Sequence, residues 1–135
     1  MPVYQPELTV VTKAKDLTMY VFTVTEKSPR RFRFSLTGRM QSLCLDIVGG
    51  LYAANDTWED ASAPDFREWA SKRLDRQHGV MTLLKELDYL LVLSREQGAI
   101  LPKQQEHAGE LLLDVERLLG AWIKSDRARF EGKKQ

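Results

Sequence analysis

With Cys44 as its single cysteine, the sequence can form no internal disulfide, and a lone thiol suits a reducing compartment. Nowhere do apolar residues continue for the ~20 positions that a bilayer-spanning helix needs, so no membrane segment is expected. The opening stretch MPVYQPELTV lacks a basic region followed by an apolar one, so a cytoplasmic rather than a secreted protein is expected. Histidine is nearly absent. Neither His78 nor His107 has a glutamate three residues before it, as the di-iron class of helical bundles requires. His107 directly follows Glu106, which turns the two side chains apart on a helix. Gly49-Gly50 is followed by Leu51-Tyr52 and not by Lys-Ser or Lys-Thr, which removes a phosphate-cradling loop. Asp46 and Asp56 have no histidine or second carboxylate at a useful spacing, and Cys44 lies among apolar neighbours that raise a thiol pKa. No catalytic residue, metal or cofactor is therefore expected, and the chain reads as a non-enzyme.

What is present has a helical period. At 135 residues the chain fits one domain, and 43% hydrophobic with 29% charged residues places it with ordinary globular proteins rather than disordered ones. Val10, Ala14, Leu17, Val21 and Val24 share one helical face, predicting a first helix over 8–26 despite a content of Thr and Val that also suits strands. Ser28-Pro29 ends it. Leu36, Met40, Leu43, Ile47, Leu51 and Ala54 form a second stripe, widened by Cys44 and Val48. Gly49 and Gly50 interrupt it at a cost of roughly 1 kcal/mol each, which implies a close helix contact or a bend. After a short linker over 61–64, Asp65 and Glu68 resemble a capping pair, and a stripe from Phe66 to Leu91 predicts a long third helix that Gly79 can bend and Gly98 stops. Pro102 suits the first turn of a fourth helix, whose stripe of Ala108, Leu111, Leu112, Val115, Leu118, Leu119 and Trp122 gives way to a fraying basic tail after Ser125. Short connections favour an all-α, up-down-up-down antiparallel four-helix bundle over 1–127, with a basic flexible tail over 128–135.

The net charge of +1 conceals two basic regions. Lys27, Arg30, Arg31, Arg33 and Arg39 occur with no acid over 28–45, and Lys124, Arg127, Arg129, Lys133 and Lys134 outnumber Asp126 and Glu131. The bundle topology puts the first group at one end and the second at the other, beside Arg67, Lys72, Arg73 and Arg76 at the start of the third helix. Guanidinium groups pair bidentately with phosphate, so Arg30, Arg31, Arg33, Arg39, Arg73, Arg76, Lys124, Arg127 and Arg129 are candidate nucleic-acid contacts. Arg39 has the alternative of pairing with a carboxylate of a neighbouring subunit. Phe32 and Phe34 alternate with the arginines in a way that can stack on bases, but the favoured reading assigns both to the core. Trp69 and Trp122 lie on core stripes at the same end, where they are expected to touch, and Trp58 sits in the linker. Tyr52, Tyr89, Leu90 and Leu93 exceed what one stripe needs and are candidates for a subunit interface.

The segment SPRRFRFSLTGRMQSLCLDIVGGLYAAN, the long third helix and RLLGAWIKS together resemble a four-helix-bundle family. It comprises the accessory variability determinant (Avd) proteins of diversity-generating retroelements and the proteins encoded in ribosomal RNA intervening sequences. The resemblance implies a homopentameric ring of bundles with no catalytic residues of its own, associated with a reverse transcriptase and with RNA or DNA during mutagenic retrohoming. Arg30, Arg31 and Arg33 fall on the family's basic lead-in to the second helix, and Lys124 and Arg127 on its basic end. This chain is less basic overall than the strongly basic members. The expected function is a non-catalytic accessory protein that binds template RNA or cDNA and the reverse transcriptase. The alternative is a structural or protein-interaction bundle with no nucleic-acid role.

Overall fold

The computed structural model describes residues 8–57 and 65–132, and these are helical with short connections. Helix α1 spans Thr9–Thr25, α2 Gly38–Asp56, α3 Phe66–Glu96 and α4 Pro102–Gly132. A 3-10 turn, Arg30–Phe32, and a π-helical turn, Arg33–Thr37, lead into α2. Each α-helix packs on two neighbours around a square, α1 on α2 and α4, and α3 on α2 and α4. The Ser28 hydroxyl donates to the Ala99 carbonyl (2.7 Å), which brings the α1–α2 and α3–α4 connections to one end. At the other end Arg73 of α3 meets Asp126 of α4 and the Thr57 carbonyl that follows α2. Successive helices are therefore antiparallel, as the connection lengths predict.

One apolar core runs the length of the bundle, and it contains the predicted stripes, among them Leu17, Met40, Leu43, Ile47, Leu51, Leu84, Leu87, Leu112 and Leu119. The threonines of α1 do not break the helix, because Thr18, Thr23 and Thr25 each turn their hydroxyl back onto the carbonyl four residues earlier at 2.7–2.8 Å. Gly98 ends α3 with φ +82°. Its N–H donates to the Arg95 carbonyl and that of Ala99 to Ser94, the paired bonds of a Schellman stop. Pro102 occupies the first position of α4, and the Gln104 side chain reaches back to accept the Leu101 N–H at 2.8 Å. The expected Asp65–Glu68 capping pair does not form: Asp65 makes no side-chain cap, and Glu68 pairs instead with Lys72 at 3.6 Å.

The α4 helix continues past the predicted fraying point to Gly132. Phe130, seven residues beyond Ile123 and so on the same face, packs in a small core with Trp69 and Ala70, its ring 5.4 Å from the Trp69 ring. The segment after Ser125 is thus part of the folded body as far as Gly132. Trp58, the 61–64 linker, Lys133 and Lys134 lie outside the described residues.

The two central glycines of α2 serve different ends. A Cβ on Gly50 would lie 2.6 Å from Val80 Cγ2 of α3, so Gly50 lets the two helices approach closely, whereas nothing stands within 4 Å of a Cβ on Gly49. Nor does anything crowd Gly79, and α3 passes through it unbroken. Gly50→Ala is expected to destabilise the protein by about 1–3 kcal/mol through overpacking against a stiff valine. Gly49→Ala is expected to stabilise it by about 0.5–1 kcal/mol through helix propensity alone. Urea melts of the two variants should shift in opposite directions.

Candidate nucleic-acid interface

The arginine cluster is built by the irregular turns between α1 and α2. After Ser28 the chain extends at Pro29 (φ −56°, ψ 140°) and tightens into the 3-10 turn, with the Phe32 N–H donating to the Pro29 carbonyl at 3.1 Å. The π turn follows, closed by the Gly38 N–H on the Arg33 carbonyl. A Cβ at position 38 would fall 2.6 Å from that carbonyl oxygen, so this wide turn needs glycine there. Phe32 and Leu36, four residues apart, point inward and pack with Ala99, against which Leu90 and Leu93 also rest. Arg30, Arg31, Arg33, Phe34 and Ser35 consequently face outward and are exposed.

This divides the two phenylalanines. Phe32 is buried as expected, but Phe34 is 95% exposed, correcting its assignment to the core. The Arg31 guanidinium lies 4.5 Å from the Phe32 ring centroid. Arg30 and Arg33 make no ion pair or side-chain hydrogen bond with any described residue. Between the π turn and the end of α1 lies an open-sided pocket of about 560 Å³, walled by Arg30 and Arg33 and by the polar side chains of Thr25, Thr37 and Gln41. Glu26 is the acid on its rim. The Gln41 amide donates to the Thr25 hydroxyl at 2.9 Å, which fixes the pocket floor.

Arg39, one α-helical turn further on, is already engaged. Its Nε and Nη2 donate to Glu86 Oε2 of α3 at 2.8 and 2.6 Å, a pair within the chain rather than with a neighbouring subunit.

At the opposite end the candidate set divides further. Arg73 is 5% exposed, and its Nε donates to Asp126 Oδ2 at 2.7 Å and its Nη2 to Oδ1 at 3.3 Å. It is a core residue and not a phosphate contact. Gln77 also donates to Asp126 Oδ2 (2.8 Å), and Arg129 to Oδ1 (3.1 Å), so the buried carboxylate accepts four hydrogen bonds. Trp69 and Trp122 do not stack on each other. The Arg73 guanidinium stands near both, 5.8 Å from the Trp69 ring centroid and 5.0 Å from that of Trp122. Arg76 donates to the Thr57 hydroxyl, tying α3 to the end of α2. Arg127 approaches His78 Nε2 at 2.8 Å, and Lys124 is exposed with no partner among the described residues. Midway along the α3–α4 face Asp88 lies near Glu116, and burial together with that neighbouring charge holds Glu116 above the usual carboxylate range. The Lys85 charge acts on Glu116 in the opposite sense.

Cys44 is buried, and desolvation pushes its thiol up to about 12 while the Thr18 hydroxyl beside it acts in the opposite sense. It is neutral at ordinary pH and packs as a small apolar group. Among the described residues no three histidine, cysteine or acidic side chains converge to hold a metal ion, and no helix is long and apolar enough to cross a membrane. Of the proposed interface tyrosines, Tyr52 is 40% and Tyr89 64% exposed, whereas Leu90 and Leu93 pack inward beside Phe32 and Leu36. No protein-family model matches the chain, and none of the curated proteins is similar to it.

Proposed function

We propose that this chain is a non-catalytic accessory protein that holds template RNA or its cDNA for the reverse transcriptase of a diversity-generating retroelement, working as a ring of identical bundles. The observation that carries the nucleic-acid part is the state of Arg30, Arg31 and Arg33. All three are exposed, and none is neutralised by an acid of the described residues. Of the other arginines of the candidate set, Arg39, Arg73 and Arg129 pair with carboxylates, and Arg76 and Arg127 keep their charge but are hydrogen-bonded to Thr57 and His78, which leaves these three as the cluster open to an outside anion. The ring and the polymerase partner rest on the family resemblance. Exposed Tyr52 and Tyr89 supply apolar surface of the kind a subunit contact uses.

A second possibility, a protein-interaction bundle with no nucleic-acid role, draws on the same exposed tyrosines and on Leu45, which is 57% exposed. One experiment separates the two. Binding of a fluorescently labelled structured RNA is measured by anisotropy from about 50 to 200 mM salt, where an accessory protein of the proposed kind loses affinity steeply through counterion release. Binding absent at the low-salt end leaves only the protein-interaction bundle standing.

A further inference from the structure

We infer that the turn over residues 30–34 is a stacking site for an unpaired nucleobase, so that single-stranded segments are preferred to continuous duplex. This deepens the phosphate contact proposed above and rests on it. Phe34 is the most exposed large hydrophobic side chain among the described residues, at 95%, and it sits directly after Arg33. Leaving a phenyl ring in water is unfavourable by an amount that burial against a flat apolar face recovers. The ring is also presented from a fixed platform. Phe32 and Leu36 anchor the backbone on either side of it, and the Thr37 hydroxyl on the Phe32 carbonyl (3.4 Å) and the Gly38 N–H on the Arg33 carbonyl close the turn beneath.

The polar pocket beside the turn suits the sugar-phosphate chain that a stacked base brings with it. Arg30 and Arg33 on its wall meet phosphate, while the Gln41 amide, which gives one N–H to the Thr25 hydroxyl, keeps its second for a sugar oxygen. Glu26 repels phosphate from its own side of the rim, which directs the strand toward the arginines. A duplex keeps its base faces covered, so Phe34 has nothing to stack on there, whereas every unpaired base has an open face. An exposed phenylalanine among arginines also suits a protein partner, and the test distinguishes that case.

The full chain is titrated with a labelled single-stranded RNA, with a hairpin whose stem carries the same sequence and whose loop is a base-free polyether linker, and with a single strand holding abasic sites. Phe34→Leu is expected to weaken binding of the intact single strand by about 5- to 150-fold, the worth of one base–aromatic stack, while Phe34→Trp restores it. Hairpin affinity should stay the same, and the abasic strand should bind wild type no better than the intact strand binds Phe34→Leu. Equal losses on strand and hairpin, or no loss on either, overturn the stacking site and leave the phosphate contact standing. Loss of reverse transcriptase binding with RNA affinity unchanged overturns it in favour of a protein contact. A wild-type protein that binds neither RNA removes both proposals.

Discussion

Replacing Asp126 by alanine is expected to destabilise the protein by about 3–5 kcal/mol, because it strands the Arg73 guanidinium in the interior without its counter-charge. For a chain of this size that corresponds to a melting temperature lower by on the order of 10–20 °C, measurable by circular dichroism. The loss spreads beyond one pair. Asp126 accepts from Arg73, Gln77 and Arg129 together, so alanine also leaves the buried Gln77 amide N–H without its acceptor, in a residue whose carbonyl already has no partner. Arg73 further reaches the Thr57 carbonyl at 3.4 Å, and the same change loosens the junction of α2, α3 and α4. Exchanging both charges at once, Arg73→Met with Asp126→Leu, is expected to recover most of the loss, since apolar replacement of a whole buried pair is often neutral or stabilising. If the single variant melted like wild type, the pair would have to be solvated rather than sealed between Trp69 and Trp122.

This cluster also shows which features the sequence announces. Trp69, Arg73, Gln77, Val80 and Leu84 follow one another at intervals of three and four, as do Leu119, Ile123, Asp126 and Phe130. Spacing alone therefore places Arg73, Gln77 and Asp126 on inward faces. Polarity argues the other way, and a charged residue on a stripe is easily assigned to the surface when its partner is 53 residues distant. The same rule applies to Phe34. Four residues separate Phe32 from Leu36, and the position halfway between them must face away. Helix spans, by contrast, were readable to within a few residues for α1 and α3, because Pro29 and Gly98 punctuate them. Two features carried no usable signal. The π turn inserts a residue that no periodicity announces, with Gly38 its only trace, and the Arg39–Glu86 pair depends on the register of α2 against α3, which a stripe of apolar residues does not specify.

Alanine at Arg30, Arg31 and Arg33 together should flatten the dependence of RNA affinity on salt without disturbing the fold. Each phosphate neutralised adds about 0.9 to the slope of log affinity against log salt for duplex and about 0.7 for single strands, so the triple variant should be shallower by roughly 2–3. In wild type these three contacts then account for an affinity loss of about 20- to 40-fold between about 50 and 200 mM salt, which the variant no longer shows. Stability should change by less than about 0.5 kcal/mol, since the side chains are exposed and Arg30 and Arg33 bond to no described residue. Arg39→Ala is the matched control. It removes the same charge from the neighbouring turn, but its guanidinium is already held by Glu86, so the salt slope should stay at the wild-type value. A triple variant with an unchanged slope would shift the polyanion surface to the far end of the bundle, where Lys124 and Arg67 are exposed cations without a partner among the described residues. Lys124→Ala together with Arg67→Ala would then be the change that lowers the slope.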